Sequence, residues 1–307
     1  MKWISTFLIF CALASGCAGP YVLDDDSASV VTPLEIGNEG HIIIETRING
    51  LGPFRFALDT GASISVIFDT TRETAEVALT DGRPVKIHGM LSSGTFPTTI
   101  LKELKIGAES WANVRVASLP AGTIVSDDID GILGNDFLRR YALGVSVIDQ
   151  VVRLYSPSLV SERSYRGWTS IPLHELEVGS AGATAYTINM QINDIEIPAM
   201  LDLGAGSNLM NWRTAKAIGV RPVKPEAETE IAGVVESEPV VAELDVHRLQ
   251  IEGVFWRHRI FLVSEYPIFE VLGLEDRLVA IIGPGLFKNR DFILDFERKR
   301  MLLGGRK

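Results

Sequence analysis

Short runs of alternating apolar and polar residues dominate the chain, and long helical patterns are few. Two segments, HIIIETRINGLGPFRFALDT from His41 and TAYTINMQINDIEIPAMLD from Thr184, each hold two such runs around a short turn. The turns are Asn49-Gly50 and Asn193-Asp194, and these residue types tolerate the positive φ angles of a tight hairpin. Period-two runs separated by turn residues predict an all-β fold.

Helical patterns are confined to three short stretches. They predict helices near Thr70 to Val77, from Asn135 to Tyr141 and near Trp212 to Ile218. The proline-containing stretch from Arg221 to Pro225 is expected to be a loop. The segment from Ser156 to Thr169 is polar and unpatterned, so we place the boundary between two lobes there.

The two halves of the chain repeat one series of landmarks. Asp59 and Asp202, which lie 143 positions apart, are the natural origins for the comparison. Each half ends in a strand-like run, SVIDQVVRLY in the first and FILDFERKRMLL in the second. Repeats of this kind predict a duplicated architecture, here two pseudo-symmetric lobes over residues 40–160 and 170–307. The further landmark pairs are Gly89 with Gly233, Leu104–Gly107 with Leu249–Gly253, Trp111 with Trp256, and Gly131–Gly134 with Ala280–Gly283.

Each lobe carries an aspartate at the end of an apolar strand, followed by a glycine two residues later. An ionisable group in such a place is costly to bury unless it is paired or hydrogen-bonded. The glycine allows a tight turn with a free backbone N–H beside the carboxylate. If the lobes pack about a pseudo-twofold axis, Asp59 and Asp202 meet and share one proton. Such a pair can polarise a water with its ionised member and protonate a carbonyl oxygen with the other.

The motif D-T-G-A-S at Asp59, followed by D-G-I-L-G-N-D-F-L from Asp130, resembles the retropepsin-type aspartic peptidases. The resemblance is strongest to the bacterial single-chain relatives of retroviral proteases and spans about residues 40 to 305. It implies retropepsin-like β-barrel lobes, an Asp59/Asp202 pair with a bound water, and a peptide or protein substrate. It further implies a monomer with an intramolecular pair and no cofactor or metal.

The same resemblance assigns roles to further residues. Thr60 would form an inter-lobe hydrogen bond, whereas Leu203 stands where the family has threonine or serine. That missing hydroxyl bears on the rigidity of the aspartate pair more than on its existence. The other implied roles are support of the pair by Gly61, Ala62, Gly204 and Ala205, flaps at Gly89 and Gly233, and hydrophobic packing elements at Ile132–Gly134 and Ile281–Gly283.

Two alternatives remain open at this point. The chain could be a catalytically impaired, peptide-binding periplasmic lipoprotein of the same fold, or a periplasmic structural protein that needs neither aspartate. Other chemistries find little support in the sequence. The five histidines show no metal-ligand spacing, no G-x-S-x-G motif is present, and no lysine follows Gly204–Gly206 as in a phosphate loop. The net charge of -10 argues against a nucleic-acid partner.

The N-terminus predicts export and a lipid anchor. The apolar stretch Trp3 to Leu13 is shorter than the about 20 residues needed to span a bilayer, which favours a signal peptide. Ala14-Ser15-Gly16-Cys17 resembles the lipobox of bacterial lipoproteins, which predicts a signal peptide over residues 1–17 and acylation of Cys17. An ordinary secretory signal with an incidental cysteine is the alternative. We expect a flexible tether over residues 18–39 and a protein held on the periplasmic side of the cell envelope.

Overall fold

The structure is a computed structural model that describes residues 27–80, 82–88, 93–120, 129–160, 165, 167–178, 183–219, 230–232, 237–239 and 242–305. Within these residues, β-strands are the main element. Those of the first half are β1 (Ala28–Ile36), β2 (Ile42–Ile48), β3 (Leu51–Leu58), β4 (Val66–Phe68), β5 (Val85–His88), β6 (Ser93–Phe96), β7 (Thr98–Ile106), β8 (Glu109–Leu119), β9 (Gly131–Leu133), β10 (Ala142–Ser146) and β11 (Val151–Tyr155).

The second half repeats this arrangement, and a few short helices connect the strands. Its strands are β12 (Thr169–Pro172), β13 (His174–Val178), β14 (Ala183–Ile192), β15 (Ile195–Leu201), β16 (Asn208–Met210), β17 (Glu230–Ala232), β18 (Ser237–Pro239), β19 (Ala242–Ile251), β20 (Val254–Val263), β21 (Ala280–Ile282), β22 (Phe292–Asp295) and β23 (Arg300–Leu303). The helices are α1 (Asp69–Thr74), α2 (Asn135–Leu138), α3 (Trp212–Ala217) and α4 (Pro267–Val271), with 3₁₀ turns at Pro157–Leu159 and Pro284–Phe287.

Each lobe is a closed barrel of six strands. In the first lobe the order is β2-β3-β9-β4-β8-β7, and β7 pairs back onto β2. In the second lobe the order is β14-β15-β21-β16-β20-β19, and β19 pairs back onto β14. The equivalent strands pair in the same sense, with β3 parallel to β9 and β15 parallel to β21. The predicted all-β fold of two pseudo-symmetric lobes is therefore confirmed.

A six-stranded sheet joins the two barrels. Its order is β12-β23-β22-β10-β11-β1, so that each half of the chain supplies three strands. At its centre β10 pairs antiparallel with β22, and Leu143 lies opposite Leu294. Strand β1 also pairs with β2, which makes this sheet continuous with the first barrel. The lobes are thus joined by backbone hydrogen bonds as well as by side-chain packing.

The predicted hairpin turns lie where the sequence places them. Asn49 and Gly50 have φ angles of 52° and 82°, and Asn193 and Asp194 have φ angles of 50° and 63°. Both central residues of each turn are thus in the left-handed region, which suits the right-handed twist of the flanking strands. These two turns set the register of β2 with β3 and of β14 with β15.

The tether predicted over residues 18–39 differs from the structure at residues 28–36, which form β1. Val30, Thr32 and Leu34 are buried on one face of this strand. Their period-two spacing is a strand signal, but the neighbouring acidic run obscures it. Residues 18–26, like the predicted loop from Arg221 to Pro225, lie outside the described residues.

The three predicted helices are present in shorter form, and α4 was not predicted. Asn211 precedes helix α3, and its side chain accepts a hydrogen bond from the Thr214 N–H at 2.9 Å and caps the first turn. Trp256 is buried in the second lobe, and Trp111 is half-buried against the core of the first. In the described part of the chain, none of the helices has the length and apolar character needed to cross a membrane.

Candidate active site

Parallel strand pairs place Asp59 and Asp202 at equivalent points of the two barrels. Asp59 follows β3 directly, and its N–H donates to the carbonyl of Leu133 at the end of β9, at 3.0 Å. Asp202 follows β15, and its N–H donates to the carbonyl of Ile282 at the end of β21, also at 3.0 Å. The same backbone contact therefore fixes both aspartates at the point where the lobes meet.

Gly61 and Gly204 let each lobe approach the carboxylate of the other. A Cβ atom at Gly61 would lie 2.6 Å from Asp202 Oδ2, and a Cβ atom at Gly204 would overlap Asp59 Cγ. Any larger residue would push the opposite aspartate away. The crossed contacts bring the two carboxyl groups together, and their side chains share a hydrogen bond.

Backbone N–H groups donate hydrogen bonds to the carboxyl oxygens of both aspartates. Asp59 Oδ1 accepts from the N–H groups of Gly61 at 2.7 Å and Ala62 at 2.9 Å. Asp202 Oδ1 accepts from the N–H of Gly204 at 2.9 Å. The N–H of Ala205 instead donates to the main-chain carbonyl of Asp202 at 3.1 Å. Asp59 therefore receives one more hydrogen bond from its own loop than Asp202 does from its loop.

Burial distinguishes the two aspartates. Asp202 is 9% exposed, whereas Asp59 is only half-buried. Removal from water raises the pKa of Asp202 well above 3.8, and the adjacent charge of Asp59 and the hydrogen bond between the side chains raise it further. The N–H groups of Gly204 and Gly61 partly offset this rise. These effects favour the protonated form of Asp202.

Thr60 and Asn135 connect the lobes beside the two aspartates. The Thr60 hydroxyl donates to the carbonyl of Leu201 at 2.9 Å and accepts from the Leu203 N–H at 3.0 Å. The Asn135 amide donates to the carbonyls of Thr60 at 2.6 Å and Thr184 at 3.3 Å. Leu203 is 2% exposed and packs in the hydrophobic core instead of offering a hydroxyl. Thr60 and Asn135 thus both bond to the second lobe, and the bond between them lies within the first lobe.

Sequence reasoning did not assign Asn135 a site role, and it missed a second contact at His41. His41 Nε2 lies 2.9 Å from the carbonyl oxygen of Gly204. Nearby, a Cβ atom at Gly206 would overlap the carbonyl oxygen of Glu39. The segment between β1 and β2 therefore packs on the loop that carries Asp202. The one sequence signal for this contact is Gly206 itself, since the first lobe has Ser63 at the equivalent position.

The predicted hydrophobic-hydrophobic-glycine elements, Ile132–Gly134 and Ile281–Gly283, are hydrogen-bonded to the loops that carry the aspartates. The Gly134 N–H donates to Ser65 Oγ at 3.1 Å, and the Gly283 N–H donates to the equivalent Asn208 Oδ1 at 3.3 Å. Asp136 accepts from the N–H of Ser65 at 2.8 Å and from its hydroxyl at 2.7 Å. Burial raises the pKa of Asp136 despite these bonds. In each lobe, the side chain six residues after the aspartate thus accepts a hydrogen bond from the last glycine of this element.

Three of the predicted site residues, Gly89, Gly233 and Cys17, lie outside the described residues. The strands beside the two glycines are described. β5 and β6 pair antiparallel with His88 opposite Ser93, and β17 and β18 pair antiparallel with Ala232 opposite Ser237. Both glycines therefore fall between the strands of an antiparallel pair, at equivalent places in the two lobes.

One cavity on the second lobe is separate from the aspartates. It has a volume of about 470 Å³, and its lining includes Thr187, Pro198 and Leu274 but neither Asp59 nor Asp202. Because it contains no part of the carboxyl pair, it is not the place where a substrate would meet these groups.

Comparisons with known proteins agree with this geometry. Residues 44–137 match the family model described as aspartyl protease, and this stretch contains Asp59 and the Ile132–Gly134 element. A solved structure titled "Crystal structure of edgp" superposes with a TM-score of 0.55 at 10% sequence identity. The alignment covers 91% of this chain and 95% of that chain, and at this identity it shows the fold alone. No curated protein matches the chain. The family match supports a general aspartic peptidase function.

The raised pKa of Asp202 predicts how the stability of the protein changes with pH. Above pH 3.8 an unfolded Asp202 ionises while the folded one keeps its proton, so the folded state binds more protons. The contribution of Asp202 to the free energy of unfolding therefore falls with rising pH in this window. Asp202→Asn removes this dependence. We expect the stability of the variant relative to wild type to rise from pH 3.8 up to the folded pKa.

Urea unfolding at a series of pH values measures the difference. Asp276→Asn is the matched control, because the Asp276 side chain is 87% exposed, and its stability relative to wild type should stay nearly flat. A flat profile for Asp202→Asn as well would mean that Asp202 is ionised in the folded protein.

Proposed function

We propose that the protein is an aspartic endopeptidase in which Asp59 and Asp202 activate a water molecule between the lobes. The observation that carries the proposal is the hydrogen-bonded pair of carboxyl groups, one from each barrel, of which Asp202 is the buried member. Two carboxyl groups in such different surroundings are suited to the separate roles of base and acid.

The proposed reaction is hydrolysis of a peptide bond. Asp59, as the carboxylate, takes a proton from the water while the water oxygen attacks the carbonyl carbon. Asp202 donates its proton to the carbonyl oxygen, which gives a neutral tetrahedral intermediate. Breakage of the C–N bond then needs a proton on the leaving nitrogen, and the protonated Asp59 supplies it while Asp202 recovers its own. The chain returns to its starting state without any cofactor.

The proposed substrate is an extended peptide that lies across the junction of the lobes. Asp59 is half-buried and Gly61 is exposed, so the carboxyl pair is open to solvent on one side. The β5–β6 and β17–β18 pairs, whose strands precede and follow Gly89 and Gly233 in the sequence, are the proposed flaps over this opening. Both aspartates belong to one chain and the shared sheet joins their lobes, which supports a monomer as the active form.

A second candidate function is peptide binding without cleavage. The observation that favours it is Leu203, which is buried in the core and leaves Thr60 as the only hydroxyl of the two equivalent positions. A less rigid carboxyl pair would bind an extended peptide in the same cleft without activating water. A wild-type protein that binds peptides but does not cleave them would identify this function.

The first test removes one carboxylate at a time. Asp59→Asn and Asp202→Asn should each lower peptide cleavage by at least about a hundredfold, because general acid–base catalysis contributes that much or more. Cleavage of a peptide library by the purified full chain gives the rates, and circular dichroism checks that each variant folds. Asp276→Asn, an exposed aspartate of the second lobe, should cleave like wild type.

The pattern of loss separates the possible arrangements. Activity retained in both asparagine variants would reject the carboxyl pair as the catalytic centre. Activity lost in Asp59→Asn but retained in Asp202→Asn would mean that two first lobes act together in a dimer, which contradicts the intramolecular pair.

The second test restores the missing hydroxyl with Leu203→Thr. By pseudo-symmetry with Thr60, a threonine hydroxyl here would face the carbonyl of Leu58 and the N–H of Thr60. A neutral hydrogen bond contributes only about 0.5–1.5 kcal/mol net, so we expect the fold to persist and turnover to stay equal or rise. Leu203→Val is the matched control, because it has nearly the shape of the threonine variant without its hydroxyl.

The comparison of these two variants isolates the hydroxyl from the loss of leucine packing. A threonine variant that is less stable and less active than the valine variant would show that the pocket offers the hydroxyl no partner. The expected reciprocal bond would then be wrong.

We also propose export and anchoring of the protein through an acylated Cys17. The support is the run of small residues Ala14-Ser15-Gly16 before this cysteine, in a chain with no cysteine after it. Cys17→Ser should move the protein from the membrane to the soluble fraction, or leave the precursor uncleaved. Cys11→Ser, inside the apolar stretch, should fractionate like wild type. A cleaved Cys17→Ser protein that still needs detergent for extraction would reject the anchor.

A further inference from the structure

Three potential metal ligands meet on the outer surface of the second lobe. Asp245 and His247 lie two residues apart on β19, and His258 lies on the neighbouring β20. All three side chains are exposed, and one ligand atom from each lies within 4.8 Å of the others. Asp245 Oδ2 is 3.1 Å from His258 Nδ1, and the two imidazole rings are 5.1 Å apart at 88°.

We propose that Asp245, His247 and His258 bind a divalent transition metal ion of the Zn²⁺ class. Two imidazole nitrogens and one carboxylate oxygen are the donors that such ions prefer, and three protein ligands leave a fourth position for water. Bonds of about 2.1 Å in a tetrahedral site place the ligand atoms about 3.4 Å apart. Exposed side chains can rotate to close the gap from 4.8 Å.

The pairing of β19 with β20 brings the histidines face to face. Val246 lies opposite Arg259 and Arg248 lies opposite Arg257, so His247 is directly across from His258 in the register. His258 has a φ angle of 50°, which is unusual for a residue with a side chain. The strand alternation also shifts here, because the two neighbours His247 and Arg248 are both exposed.

The first lobe has the same local backbone but different side chains. Asn113 has a φ angle of 56° at the position equivalent to His258. Lys102 lies across from it, between the pairs Leu101 with Val114 and Glu103 with Ala112. The third equivalent residue is Ile100, which is 44% exposed. The unusual backbone is thus a property of the barrel, whereas the set of ligands belongs to the second lobe alone.

Nearby arginines are the main electrostatic obstacle to cation binding. Two of them make other contacts. The Arg248 guanidinium lies 4.2 Å from the centre of the Phe255 ring, and Arg259 donates to the backbone carbonyls of Arg257 and His258. Their charges lower the affinity of the site. They do not occupy the imidazole nitrogens or the Asp245 carboxylate.

The decisive variant copies the first lobe into the second. The double variant His247→Lys with His258→Asn introduces the residue types of Lys102 and Asn113. The first lobe shows that these types are compatible with this backbone, including its positive φ angle. None of the three ligands belongs to the aspartate pair, so the readout is metal binding rather than peptide cleavage. Titration calorimetry of the chelator-treated full chain with Zn²⁺ measures affinity, and thermal unfolding with and without Zn²⁺ measures the linked stabilisation.

We expect wild type to bind one Zn²⁺ per chain at this site and to gain thermal stability from it. The double variant should bind at least about tenfold more weakly, in line with the losses that follow damage to metal sites, and should lose the stabilisation. Both proteins keep the same cysteines and other histidines, so the difference reports on this cluster. Equal Zn²⁺ affinity in the two proteins, or no binding by wild type, would overturn the proposal.

Discussion

The close approach of two carboxyl groups is the constraint on which the rest of the site depends. Like charges in a partly buried place cannot both persist without a large cost, so one group must keep its proton. The fold enforces the approach from several sides. Parallel strand pairs fix the two aspartate backbones, Gly61 and Gly204 remove the side chains that would separate them, and Thr60 bonds to the opposite strand. A change in any of these contacts alters the distance between the two carboxyl groups and therefore how they share the proton.

The two lobes share a backbone plan but not the surroundings of their aspartates. Asp202 is buried more deeply than Asp59, and its loop lies under the segment between β1 and β2 through His41 and Gly206. At the equivalent position of the first lobe, Ser63 is exposed. Burial removes Asp202 from water and raises its pKa. This asymmetry of the duplicated chain gives the two carboxyl groups the different surroundings on which the proposed acid and base roles depend.

Local patterns made the barrels and the aspartate loops predictable from sequence, whereas contacts across long separations did not. The turns at Asn49-Gly50 and Asn193-Asp194 need only two adjacent residues to be recognised. The bond from His41 to Gly204 spans 163 positions, and a period-two pattern carries no information about it. Strand β1 was missed because the acidic run before it obscures its period-two pattern, and its pairing with β11 spans more than 100 residues. Spacing along the chain also hides His247 and His258, which meet only through strand pairing.

Because the chain is duplicated, features that both lobes share can be distinguished from features that only one lobe has. Both lobes keep an aspartate followed by glycine two residues later, and both place a positive φ angle at Asn113 or His258. These shared features follow from building a closed barrel with a carboxylate at its junction. Differences at equivalent positions have no such general cause. Each must be explained by its own contacts: core packing at Leu203, the approach of Glu39 at Gly206, and a set of metal-type ligands around His258.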